Sequence, residues 1–164
     1  MTPGSPHPSQ HSVGKLGTCP ECGAPWPEGR GCQDYFHQML AWEWEDPRNL
    51  AVHHLTVLSY HMQHPRLYSP EGLDGGKRLL VDFLDREVSP EEARRRNRGP
   101  MDSGRREFKI TGTADHQGAY ARPVRWTMTG ADVIAAGIER YIDSVQAWAR
   151  SILESLRASG EPGL

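Results

Sequence analysis

The chain has 164 residues, enough for one compact domain or for a domain with short appendages. Nineteen Lys and Arg against 21 Asp and Glu leave a formal charge of −2, which gives no overall electrostatic pull toward nucleic acid or an anionic membrane. No apolar run approaches the roughly 20 residues needed to cross a bilayer, and the opening stretch, MTPGSPHPSQHSVGKLG, lacks the apolar centre of a secretory signal. Its Pro, Ser and Gly predict a disordered leader over residues 1–17, followed by a single domain over 18–159 and a short disordered tail over 160–164. With three cysteines and no export signal, reduced thiols in a cytoplasmic setting are expected, not a disulfide framework.

Residues 18–32, TCPECGAPWPEGRGC, carry too much Pro and Gly for a helix and read as a turn-rich knuckle. A helix is expected from Gln33 to Glu45, because Phe36, Met39, Leu40 and Trp44 recur at helical spacing. Trp42 and Trp44 fall on opposite sides of it and cannot share one core. After Asp46-Pro47 a second helix runs from Arg48 to His64, with Val52, Leu55, Leu58 and Met62 as its stripe and Pro65 as its stop. The short link makes the two an antiparallel hairpin.

Ser69-Pro70-Glu71 opens a third helix: a capping hydroxyl, proline in the first turn, and an acid at the positive end of the dipole. Leu73, Leu80, Phe83, Leu84 and Val88 give it a core face. Gly75 and Gly76 weaken it by about 1 kcal/mol each and mark a place where another helix can come close. Ser89 and Glu92 form a capping-box pattern before an arginine-rich turn, and residues 97–106 read as a loop. Phe108 and Ile110, then Val124, Trp126 and Met128, alternate with polar residues, which predicts a short β-hairpin around DHQGAYA. Thr129 caps a last helix striped by Ile134, Ile138, Tyr141, Val145, Trp148, Ile152 and Leu156. The fold expected is mainly α: a bundle of about four helices with an N-terminal zinc-knuckle-like turn and a short β-hairpin.

Cys19 and Cys22, with Gly23 following, match one half of many structural zinc sites. Their spacing lets both thiolates converge on one ion, and the small residue frees backbone amides to bond the sulfurs. Cys32 is the natural third ligand, and eight histidines make an imidazole the natural fourth. Cys32 lies about 14 residues before the turn at Asp46, so its level on the second helix is reached about as far beyond it. That points to His64, with His61 as runner-up; His53 and His54 are level with Met39, roughly 10 Å away along the axis. Zn2+ is the expected cofactor, since three thiolates and one imidazole make a closed structural site. Without the histidine a water would complete the shell, and the site could be catalytic. A free thiol pair, or a redox pair of thioredoxin type, are the competing readings, the second lacking the strand and βαβ pattern that such a motif needs.

These residues also carry a resemblance. Cys19, Pro20, Cys22 and Gly23, then Cys32, Glu43, Asp46 and Pro47, then Val52, His53, Leu55, Thr56, Val57, Tyr60, Gln63, His64 and Pro65 resemble an uncharacterised bacterial family of unknown function. Its pattern is CPxCG, a later Cys, ExxDP and VHxLTVxxYxxQHP. The resemblance implies no activity, but it singles out His53 and His64 among the histidines. Those two are separated by roughly 16 Å of helix rise and cannot share an ion. His53 is instead expected opposite Glu43 across the hairpin, where a hydrogen bond would either pin the helices together or poise the imidazole as a general base.

Three functional readings follow. The first is a zinc-stabilised helical module that binds a protein partner. The second is a small metal-dependent enzyme with His53, Glu43 and Tyr60 lining a cleft between the first two helices. The third, nucleic-acid binding through the knuckle and the cluster Arg94, Arg95, Arg96, Arg98, Arg105 and Arg106, is disfavoured by the charge balance, since most such runs are solvated surface. A separate metal site from His61, His64 and Glu43 is a further possibility of the HxxH spacing. No P-loop, dinucleotide fingerprint, nucleophile elbow or HExxH motif is present.

Overall fold

Side chains that satisfy the first amides of each helix set most of the boundaries. The computed structural model describes residues 17–97 and 108–164. Two short strands, β1 (Gly17–Thr18) and β2 (Pro25–Trp26), precede α1 (Cys32–Glu45), a 3-10 turn (Pro47–Val52) and α2 (His53–Gln63). Then come α3 (Pro70–Leu84), α4 (Pro90–Arg96), α5 (Gly130–Ala136) and α6 (Tyr141–Ala158). The Asp34 carboxylate accepts from Gly31 N at 2.6 Å to open α1, and Asp132 accepts from Thr129 N at 2.7 Å to open α5. Ser69 and Ser89 cap α3 and α4 through Gly72 N and Glu92 N.

The bundle is mainly helical, as expected, with three departures. The second helix begins as the 3-10 turn, because Asp46 accepts from Arg48 N and Asn49 donates its amide to Trp42 O at 3.1 Å, which tightens the corner. The last helix is broken at Gly137 (φ +83°), a backbone conformation that only glycine adopts readily; α6 starts anew at Tyr141. Third, the segment around DHQGAYA, whose internal pairing is an isolated antiparallel bridge between Thr113 and His116, does not form the two-stranded hairpin expected. Its backbone pairs with the turn after α2: Ser69 N donates to Ile110 O, Gly112 N to Leu67 O, and Gly118 N to Tyr68 O at 2.7–2.9 Å. The alternation nevertheless persists, with Val124, Trp126 and Met128 half-buried and Arg125 and Thr127 exposed. The hairpin that does form is β1–β2, with Gly17 opposite Trp26, and it embraces the knuckle.

Two glycines hold that long segment against the bundle. A Cβ on Gly72 would lie 2.4 Å from Ile110 O, and one on Gly112 would lie 2.3 Å from Arg66 O; both obstacles are backbone. At Gly76 the obstacle, 2.5 Å away, is Met62 Cε, the far end of a flexible side chain, so the close α2–α3 contact expected there exists but can yield; at Gly75 a Cβ would meet only the Arg78 side chain, at 3.9 Å. Gly72→Ala and Gly112→Ala should each destabilise by about 2 kcal/mol or more, and Gly76→Ala by clearly less, as read from urea midpoints.

The core packs α2 between α3 and α6: Leu55, Leu58 and Met62 meet Leu73, Leu80, Val145, Trp148, Ile152 and Leu156. On α1 the buried face is Cys32, Tyr35, Met39 and Glu43, rotated from the expected stripe, and Trp44 stands 89 % exposed. Trp42 packs edge-on against Tyr141 at 5.8 Å. Glu43 takes a core position because its carboxylate has two hydrogen-bond partners, His53 and buried Tyr141, which apolar periodicity cannot register. Val88 lies beyond the end of α3. Within residues 160–164, buried Glu161 accepts from Lys77 Nζ at 3.1 Å and from Ala121 N at 3.0 Å. The expected leader falls outside the described residues except for Gly17, as does the loop after Asn97. No described helix is long and apolar enough to cross a membrane.

Candidate metal centre

The knuckle is a tight turn closed by Cys19 N donating to Ala24 O at 2.8 Å and Gly23 N donating to Cys19 O at 2.9 Å. Gly23 (φ +78°) supplies the left-handed step that the turn requires. This aims the Cys19 and Cys22 thiols at the amino end of α1, where Cys32 is the first helical residue. Opposite them α2 ends at Gln63, and His64 leaves the helix before Pro65. Cys19, Cys22, Cys32 and His64, all buried, bring one donor atom each to within 4.8 Å of one another. They are positioned to hold a metal ion.

The distances fit a small tetrahedral ion. Bonds of about 2.3 Å to sulfur and 2.0–2.1 Å to nitrogen imply S–S edges near 3.8 Å and S–N edges near 3.6 Å. Cys22 Sγ lies 3.5 Å from Cys32 Sγ, and Cys19 Sγ lies 3.6 Å from His64 Nε2. The neighbouring groups also suit thiolates. Cys22 N approaches Cys19 Sγ at 3.5 Å, Ala24 N donates to Cys22 Sγ at 3.4 Å, and Trp26 Nε1 donates to Cys32 Sγ at 3.3 Å. His64 Nδ1 donates to Tyr60 O at 2.6 Å, a carbonyl left unpaired by the end of α2. That bond fixes the tautomer and leaves Nε2 free to ligate.

The quartet favours charge separation even without an ion. The Cys22–Cys32 hydrogen bond pulls the Cys32 thiol down to about 4 against the opposing effect of burial, with His64 and the Trp26 indole assisting. The same bond, together with burial, pushes Cys22 up. Burial draws His64 down, but its bonds to the Cys32 thiolate and the Tyr60 carbonyl outweigh that and hold it above the usual imidazole value.

His61 lies outside the quartet. Its Nδ1 donates to Val57 O at 2.8 Å, its ring stacks on Tyr68 at 4.9 Å, and burial holds it below its usual value. The separate His61–His64–Glu43 site does not form, because Glu43 points to the other end of the hairpin. There Glu43 Oε2 accepts from His53 Nδ1 at 2.5 Å and its Oε1 accepts from Tyr141 at 2.7 Å. Tyr60 is not with them: it stacks on Phe36 at 4.3 Å and touches His64. Of the arginine cluster, Arg95 and Arg96 pair with Glu92, while Arg98, Arg105 and Arg106 lie outside the described residues.

A family model matches residues 17–157, from β1 into the last turns of α6. The chain belongs to a family of unknown function (DUF5946). The match takes in all four metal-donor residues and both halves of the bundle. Neither the curated proteins nor the solved structures contain a match.

Several supports of the centre escaped sequence reasoning. Trp126 Nε1 donates to Glu21 O at 3.1 Å, Arg66 pairs with Glu21 at 3.0 Å, and the Tyr35 hydroxyl donates to Pro25 O. The first two tie the knuckle to the bundle across long sequence separations, and the third ties it to α1. The one available signal was the half-buried alternation that placed Trp126 on an inward face.

Proposed function

We propose that this protein is a zinc-stapled helical module of a reducing, cytoplasmic compartment, in which the metal is structural and α1 docks a protein partner. The observation that carries the structural role is the closed quartet. Four buried protein donors complete a tetrahedron, which leaves no coordination position for a substrate or an activated water. Zinc suits three thiolates and an imidazole better than a hard cation does, and iron is the competitor to exclude. Docking is supported by Trp44, whose side chain lies almost wholly in solvent on the outer face of α1.

Metal analysis of purified protein should return one zinc per chain. Cobalt substitution should give intense thiolate-to-metal bands and a tetrahedral visible spectrum. A weak, octahedral spectrum would rule this coordination out. For the partner, capture with wild-type protein and with Trp44→Ser side by side is decisive: a partner retained equally by both counts against docking at α1.

The alternative, a small metal-dependent enzyme, draws support from the His53–Glu43 hydrogen bond. The metal quartet, however, sits at the far end of α2, about 16 Å of helix rise from His53. Metal chemistry cannot reach that imidazole, so any role for His53 is independent of the ion.

A further inference from the structure

The His53–Glu43 pair opens onto a cleft that the metal centre does not touch. It lies between the 3-10 turn, α3 and α4, has a volume of about 730 Å³, and falls within the range of small-molecule sites. Leu50, Leu79, Phe83 and Ala93 make its walls mostly apolar. His54 adds to them: its ring stands edge-on to Phe83 at 4.7 Å, and burial holds it below its usual value, toward the neutral form.

At the mouth are two groups suited to an acid. Arg94 lines the cleft with its guanidinium mostly in solvent, held only by Pro90 O at 3.3 Å and by an exposed Glu91 at 3.9 Å. His53 is half exposed, and its orientation is set from behind. Thr56 hydrogen-bonds the Tyr141 hydroxyl at 2.7 Å, Tyr141 donates to Glu43, and Glu43, 2 % exposed, accepts from His53 Nδ1. This chain spends a buried carboxylate on one imidazole and so presents Nε2 to solvent in a fixed direction.

We propose that this cleft binds a small amphipathic carboxylic acid, its apolar body on Leu79, Phe83 and Ala93 and its carboxylate between His53 Nε2 and Arg94. With Nδ1–H given to Glu43, His53 binds a carboxylate as the imidazolium, its Nε2 proton coming from the free acid or, for the carboxylate, from solvent. A neutral alcohol could hydrogen-bond Nε2 but would form no ion pair with Arg94, whose acid partner among the described residues, Glu91, is exposed and 3.9 Å away. A metal is a poor occupant, because no group of three His, Cys, Asp or Glu donors converges at this cleft among the described residues.

The probe is decanoate, titrated by calorimetry below its micelle concentration into zinc-loaded protein, with decanol as the neutral control. Saturable 1:1 binding is expected, at least tenfold tighter than for decanol. Arg94→Gln and His53→Gln should each weaken it about tenfold while helical circular dichroism and metal content stay unchanged. Arg94 is a surface side chain, so that variant keeps the test valid even if His53→Gln unfolds. No saturable binding, equal affinity for decanol, or decanoate binding unaltered by Arg94→Gln would each overturn the proposal. Because the readout is made on the metal-loaded protein, failure here leaves the structural zinc reading intact.

Discussion

Cys22→Ser should release the metal and lower the melting temperature by about 10–15 °C, and a strong chelator should do the same to the wild-type chain. Metal binding at a site that does not pre-exist in the unfolded chain contributes directly to folding free energy. Here it holds the knuckle cluster of Cys19, Cys22, Ala24, Cys32 and Tyr35, which is separate from the main core around Trp148. Loss of one ligand therefore frees the knuckle without dissolving the bundle. A cost of about 3–5 kcal/mol corresponds to the stated shift at roughly 2–4 °C per kcal/mol for a domain of this size. At low temperature most of the helical circular dichroism should remain, since the main core on α2, α3 and α6 uses none of the ligands. Two results would contradict the structural role: an unchanged melting temperature after chelation, or a serine variant that still carries stoichiometric zinc.

The convergence of the four donors could be read from the sequence because each is placed by local geometry. A two-residue spacing with a following glycine shapes the knuckle, and helix rise alone brings His64 level with Cys32. The Glu43–His53 contact was legible for the same reason, as the two flank one short corner. What periodicity misjudged were positions decided by polar partners distant in sequence. Glu43 displaces the expected stripe of α1 because Tyr141, 98 residues away, donates to it. The segment after Phe108 alternates like a strand yet spends its backbone groups on the turn at Leu67–Ser69, a pairing that no local signal announces. The break at Gly137 was visible as a glycine, but the apolar stripe runs on through Ile134 and Ile138, both half-buried, and so concealed it. Similarly, Glu161 reads as a solvated tail residue until Lys77 is known to be buried beside it.

Trp148→Ala should be among the most damaging single substitutions, costing about 3–5 kcal/mol by cavity formation alone. Trp148 is 1 % exposed at the centre of α6, and its indole also carries a bond that connects the core to the candidate metal centre. Trp148 Nε1 donates to Gln63 Oε1 at 3.1 Å, and Gln63 Nε2 donates to Met128 O at 2.7 Å. Gln63 is the last residue of α2, immediately before His64, so this pair of bonds fixes the backbone from which the imidazole ligand projects. Trp148→Phe keeps most of the ring volume but leaves Gln63 Oε1 buried without its donor, at a cost of about 1–3 kcal/mol. Phe should therefore separate the two effects: a smaller fall in the urea midpoint than Ala gives, yet a metal affinity reduced several-fold by competition with a chromogenic chelator. If Trp148→Phe lowers stability while metal affinity stays at the wild-type value, the His64 backbone is held by its own bonds, His64 N to His61 O and Leu67 N to His64 O. The Gln63 network would then belong to the core and not to the centre.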